Sequence, residues 1–207
     1  MPAIARAPGA LRPVPAAVLA AVLAGMCAPA PAAQPREGWY LEVRAGLGIA
    51  SMTREAIFTP EDELTALSQD ETGGLRLGLG AGTVIQPELD GYVQLTAWSE
   101  RGDESLARLN LDIVRALAGL AWRPGAGPGY LEIAIGVAHL RMPALRRGVR
   151  THTGDDGLAL ALGAGVEVGL GGRLSLTAVA GYDFVATDEL GARASEYSLA
   201  LGCRRRL

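Results

Sequence analysis

An eight-stranded antiparallel up-and-down transmembrane β-barrel is the fold class that this sequence predicts. Three observations predict it. Eight segments alternate between apolar and small-or-polar residues, their connections alternate between tight and long, and the aromatic residues collect at segment ends. The 207 residues are 49% hydrophobic and 20% charged, with 28 glycines, and all 19 basic residues are Arg against 22 acidic ones. That balance excludes a disordered tail, a collagen, a coiled coil and a nucleic-acid binder driven by net positive charge. Two cysteines, Cys27 and Cys203, build neither a disulfide framework nor a four-ligand zinc site. No cofactor and no metal is expected.

Residues 1–33 read as a cleavable signal peptide, and residues 34–207 as the barrel domain. The first stretch has no acid, and its charges are Arg6 and Arg12. An apolar run from Val14 to Cys27 follows, then the small residues Ala28-Pro29-Ala30-Pro31-Ala32-Ala33. This is the order of an export signal, and the run is short of the ~20 apolar residues that a spanning helix needs. Lipid attachment at Cys27 is a lesser alternative. Cleavage leaves 17 Arg against 22 acids and one thiol, Cys203, as a buried or lipid-facing passenger.

The alternating segments run over roughly 39–50, 74–85, 91–99, 106–123, 130–142, 157–169, 172–185 and 194–207. In the first, Trp39, Leu41, Val43, Ala45, Leu47 and Ile49 oppose Tyr40, Glu42, Arg44, Gly46 and Gly48. In the sixth, Leu158, Leu160, Leu162, Ala164, Val166 and Val168 oppose Gly157, Ala159, Ala161, Gly163, Gly165 and Glu167. Successive strand side chains point to opposite faces, so each segment has one lipid-compatible face. Tight turns are expected at 86–90, 124–129 and 170–172. Long connections are expected at 51–73 and 143–156, with intermediate ones near 100–105 and 186–193. Tight turns on one side and long loops on the other belong to an outer-membrane barrel. With the N-terminus in the periplasm, Trp39, Tyr40, Tyr92, Trp122 and Tyr130 fall at periplasmic ends, and Trp98, Tyr182, Phe184 and Tyr197 at outer ends. They read as two interfacial girdles.

The opening Gly38-Trp39-Tyr40-Leu41-Glu42-Val43-Arg44-Ala45-Gly46-Leu47-Gly48 resembles the first strand of the small outer-membrane barrels of the OmpA/OmpX/Ail type, in the generic outer-membrane β-barrel domain family. The ending Tyr197-Ser198-Leu199-Ala200-Leu201-Gly202-Cys203-Arg204-Arg205-Arg206-Leu207 is similar to their last strand, though it closes on Leu207 rather than an aromatic. The resemblance implies residence in a bacterial outer membrane, assembly by the barrel-assembly machinery, a monomer, and possible adhesion to a host protein or sulfated glycan through the loops.

The inward faces carry Glu42, Arg44, Arg76, Arg108, Asp112, Glu132, Glu167, Arg173, Asp183, Glu196 and Arg204. Charges walled off from bulk water should pair, so a salt-bridged, filled lumen is expected, with Glu42, Arg44, Arg76, Asp112, Glu132, Glu167, Arg173 and Asp183 as its network. Strict alternation puts Arg115 on the lipid face with Leu109, Leu111, Ile113 and Leu117, at a cost of ~2–4 kcal/mol near the midplane. A bulge near Val114 would turn it inward. His139 and Arg141 fall on the outward face near the outer end.

The cluster Arg141, Arg146, Arg147 and Arg150 faces the outer leaflet, where Arg forks suit the phosphates of lipopolysaccharide or a sulfated glycan. The first loop is acidic, and Thr59-Pro60-Glu61 reads as the start of a short helix to about Leu67. Enzyme signals are weak. His139 has no nearby Ser on the same face to act as nucleophile, and His152 is a lone histidine in the loop Thr151-His152-Thr153-Gly154-Asp155-Asp156. The expected protein is non-enzymatic, structural or surface-interacting through its loops. The rivals are a lipid-A-modifying enzyme and a soluble periplasmic barrel binding an apolar ligand, which needs an apolar inside.

Overall fold

The computed structural model describes residues 38–54, 64–66, 69–100, 111–125, 127–146, 149–187 and 191–207. Among them lie nine strands and no helix: β1 (Trp39–Arg54), β2 (Leu64–Ala66), β3 (Gln69–Gln86), β4 (Leu89–Glu100), β5 (Asp112–Trp122), β6 (Gly129–Arg146), β7 (Val149–Gly171), β8 (Leu174–Thr187) and β9 (Ala192–Arg206). The eight long strands pair antiparallel with their neighbours in the chain, and β9 returns to β1, so the sheet closes. Following paired residues around the ring leads from Gly154 through Arg141, Asp112, Ser99, Leu75, Leu47, Leu199 and Ala180 back to β7 at Ala164. The circuit therefore misses its start by ten residues (164 − 154). A stagger of that size on eight strands tilts them by roughly 40° and leaves an interior that side chains fill.

The two faces separate as alternation requires. Leu47 (63%), Leu77 (62%), Ile135 (63%), Leu158 (63%) and Leu201 (69%) are among many large apolar side chains left open on the outside. Such an apolar belt around a closed barrel is a lipid-facing surface. Charged and small residues face inward, the reverse of a soluble barrel for apolar ligands. At the outer end, however, the interior turns apolar: Met52, Trp98, Leu111, Ile113, Leu140 and Val185 pack into one buried cluster. Tight turns close the opposite end. Pro87-Glu88 joins β3 to β4, and Gly171 and Gly172, both at positive φ, carry the chain from β7 to β8.

Five sequence expectations change. In β5, Ile113, Arg115, Leu117 and Ala121 face inward and Val114, Ala116, Ala118 and Leu120 outward, with no register shift against β4 or β6. Arg115 is thus inside without a bulge. Alternation misassigned this strand because its inner face supplies Ile and Leu to the apolar cluster, while small Ala residues face lipid. Four of the supposed girdle aromatics, Tyr40, Tyr92, Trp98 and Tyr130, occupy inward positions. They fill volume that inward glycines leave open: a Cβ on Gly165 would stand 2.6 Å from the Tyr130 ring, and one on Gly119 2.7 Å from that of Tyr92. Trp39, Trp122 and Tyr197 do face outward. The expected long connection 143–156 is instead a continuous hairpin, with β6 and β7 paired as far as Arg146↔Val149. The expected helix reaching Leu67 conflicts with β2, which pairs with Ala144–Arg146 of β6; residues 59–63 and 67 lie outside the described residues. Finally, Asp112 and Arg173 are not in the lumen, as set out next.

Candidate functional site: a charged lumen and an arginine-bearing hairpin

Each long strand presents every second residue to the lumen, and charged side chains there meet across it. Among the described residues six acids, Glu42, Asp90, Glu132, Glu167, Asp183 and Glu196, join six Arg residues, 44, 76, 115, 123, 204 and 206, in two clusters. Near the periplasmic end, the Arg44 guanidinium donates to both oxygens of Glu132, at 2.8 and 3.0 Å, and to Glu42 at 3.1 Å. Arg204 bonds Glu42 at 2.9 Å and Glu167 at 2.8 Å. Arg123 donates to Asp90 at 3.0 Å and to Glu167 at 2.7 Å. The hydroxyls of Thr177 and Ser175 donate to Glu42 and Glu167 at 2.7 and 2.8 Å. Arg204 also lies 4.2 Å from the Tyr40 ring centroid and Arg123 4.7 Å from that of Tyr130, so aromatic faces cover cations already paired to carboxylates.

Nearer the outer end, Arg76 and Arg115 both engage Asp183 and Glu196, and Arg76 donates to Ser198 at 2.9 Å. Arg115 and Glu196 are each 1% exposed. Between the clusters, Arg44, Arg76, Gln94, Glu132, Asp183 and Ser198 border a cavity of about 10 Å³, room for about one water molecule. Charges of opposite sign thus fill the lumen, and the apolar cluster above them, with Trp98 and Met52, closes it toward the outside.

The structure brings together Glu42, Arg44, Arg76, Glu132, Glu167 and Asp183 of the sequence-derived network, with Glu196 and Arg204. It separates two. Asp112 accepts from Ser99 at 2.6 Å on the outer face, because β5 has the opposite parity to the one assumed. Arg173 is exposed in the turn between β7 and β8, where alternation has ended. Arg108 lies outside the described residues. Asp90 was missed because it reads as part of the turn at 86–90, and Arg123 because the parity assumed for its segment puts it on the lipid face. A signal existed for Asp90, which continues the inward parity of its strand past Tyr92. Arg206 also escaped attention, as one of three consecutive arginines.

On the outside, His139 and Asp156 pair across β6 and β7 at 2.7 Å, and exposed Arg141 stands in the ladder opposite Gly154. Arg146 closes the hairpin opposite Val149, and Arg150 pairs with Leu145. Arg147 lies outside the described residues. Cys203 is exposed on the outward face of β9.

The model of the outer membrane protein beta-barrel domain matches residues 18–204. Among solved structures, the chain is similar to Ail, the attachment invasion locus protein of Yersinia pestis, at 13% identity and a TM-score of 0.56, covering 81% of this chain and 99% of that one. It is likewise similar to Neisserial surface protein A, at 16% identity and a TM-score of 0.52, covering 84% and 100%. A second structure of Ail, in complex with the heparin analogue sucrose octasulfate, matches at 13% identity and a TM-score of 0.54, covering 81% and 99%. No curated protein sequence matches the chain. Closed eight-stranded ring, apolar belt and family match agree: the chain belongs to the outer membrane protein beta-barrel domain family, and its place is the bacterial outer membrane.

Proposed function

We propose that this is a non-enzymatic outer-membrane barrel whose work is done at its outer surface, where the β6–β7 hairpin meets anionic groups. The carrying observation is the hairpin itself: β6 and β7 stay paired up to Arg146↔Val149, past Arg141, which faces Asp112 at the start of β5, so the strand positions of Arg146 and Arg150 extend beyond the barrel wall. The lumen supports a surface role, because its charges are used up on one another. The partner chemistry is phosphate or sulfate, held by Arg forks: the phosphates of lipopolysaccharide, or a sulfated glycan of the kind that the Ail–sucrose octasulfate complex exemplifies. A lipid-modifying reading finds less support. Asp156 holds His139 as a relay carboxylate would, but the hydroxyl of Ser99, on β4, donates to Asp112 and not to His139.

Residues 1–33 fit this reading as an export signal, which the intact mass of the mature chain tests. Replacing Arg146, Arg147 and Arg150 together by Ser is expected to weaken binding to vesicles carrying phosphorylated lipid or to a heparin fragment by about tenfold or more. Unchanged binding to both probes would sink the proposal.

A further inference from the structure

We propose that the periplasmic rim of the β8–β9–β1 seam holds the headgroup of an anionic glycerophospholipid, with Arg173 and Arg205 as its phosphate ligands. Arg205 is on the outward face of β9. In the ladders it stands between Leu41 of β1 and Leu174 of β8, both exposed on the lipid side. A cation is thus set into the apolar belt at its periplasmic edge. Arg173, exposed in the turn between β7 and β8, is brought beside it. Its carbonyl accepts from the Arg206 amide at 2.8 Å, one step along the ladder from Leu174↔Arg205. Trp39 and Leu207 complete the apolar border: the Leu207 amide donates to the Trp39 carbonyl at 2.9 Å, and both side chains are exposed.

Partners separate this pair from the arginines of the lumen. Among the described residues no ion pair engages Arg173 or Arg205, whereas Arg206, turned toward the lumen, bonds Glu167 at 3.2 Å. The rest of the rim carries no such charge. The β3–β4 turn exposes Glu88, and the β5–β6 turn exposes no charged side chain, since its Arg123 is buried on Asp90 and Glu167. Positive charge on the described rim is therefore gathered in one sector, at the seam. Guanidinium forks take phosphate oxygens in pairs, and an anionic headgroup gains from each Arg held near the membrane surface. A zwitterionic lipid brings an ammonium group to the same place, where two cations repel it. The leucines decide against a soluble anionic partner. Arg205 is flanked on both sides by lipid-facing side chains, at the depth where an arginine stem lies along acyl chains and its head meets the headgroups.

The site lies at the opposite end of the barrel from the β6–β7 hairpin and stands independently of the surface reading above. The full barrel is placed in nanodiscs holding equal parts of phosphatidylglycerol, phosphatidylethanolamine and phosphatidylcholine with matched acyl chains. Native mass spectrometry then counts the lipids that stay bound on release. Wild type is expected to retain phosphatidylglycerol over either zwitterionic lipid by about tenfold or more, with about fivefold from each Arg. Arg173→Ser, which leaves the last strand untouched, should lower that preference about fivefold, and adding Arg205→Ser should lower it further. Replacing Arg146, Arg147 and Arg150 by Ser should leave it in place. The heat-dependent gel shift of each variant confirms an intact barrel. Equal retention of the three lipids by wild type, or an unchanged preference in Arg173→Ser with Arg205→Ser, would overturn the rim site. So would a preference lost only with the hairpin arginines, which would put the bound lipid at the outer end.

Discussion

Arg204 shows how one side chain serves several strands. Itself 1% exposed, it reaches from β9 to Glu42 on β1 and Glu167 on β7, and its guanidinium lies over the Tyr40 ring. Arg204→Leu removes the cation and leaves both carboxylates short of a partner inside the barrel. Breaking a buried pair in this way costs about 3–5 kcal/mol, so urea unfolding in micelles should show a loss of that size, while Arg205→Leu, on the outward face, should change it by less than about 1 kcal/mol. Space around the charges is equally specific. A Cβ on Gly163 would stand 2.7 Å from Cγ of Glu132, so the glycine admits the carboxylate that Arg44 grips. Alternation with mixed charge was enough to point to Glu42, Arg44, Glu132, Glu167 and Asp183. Which Arg meets which acid was not legible, because cross-lumen contacts depend on the stagger of the ring, and no single strand contains that information.

At the scale of the strand, β5 is the instructive case. The other segments show their lipid face mainly by Leu, Val or Ile alternating with small, polar or charged residues. β5 has Ile113 and Leu117 with Arg115 on one face and Val114, Ala116, Ala118 and Leu120 on the other, so both faces are apolar, and the one with the cation is the inner one. Hydrophobicity alone cannot separate a lipid face from an apolar layer of the lumen. Arg115 was the useful clue, since a buried cation inside the barrel has Asp183 and Glu196 to meet. The parity is testable: Ala118→Arg places a charge in the lipid belt and should cost about 2–4 kcal/mol in the same urea experiment. A negligible loss would favour the opposite parity. β2 was beyond sequence reasoning for a different reason. Three residues in an acidic loop have no periodicity to read, and their strand conformation comes from the free edge of β6 that they complete.

For the whole molecule, the interior is closed in series: the periplasmic cluster under Tyr40 and Tyr130, the Arg76–Arg115 cluster, then the apolar layer around Trp98. Reconstituted into planar bilayers, the barrel is expected to show no steady ionic conductance above that of the bare membrane, and measurable open events in wild type would contradict the filled lumen. The seam between first and last strands has a kinetic consequence. Tyr40 pairs with Arg206, so the ladder that closes the ring joins the first and last strands, the contact of highest sequence separation and therefore expected to form late. Until β9 docks, Glu42 has Arg44 and Glu167 has Arg123, but both wait without Arg204, and an open sheet would carry those anions on a wet, partly neutralised face. Ring closure then completes the charge neutralisation. An open seven-stranded intermediate gains little from its partial ladder, so the last strand should zip in, and peel away, as an all-or-none step.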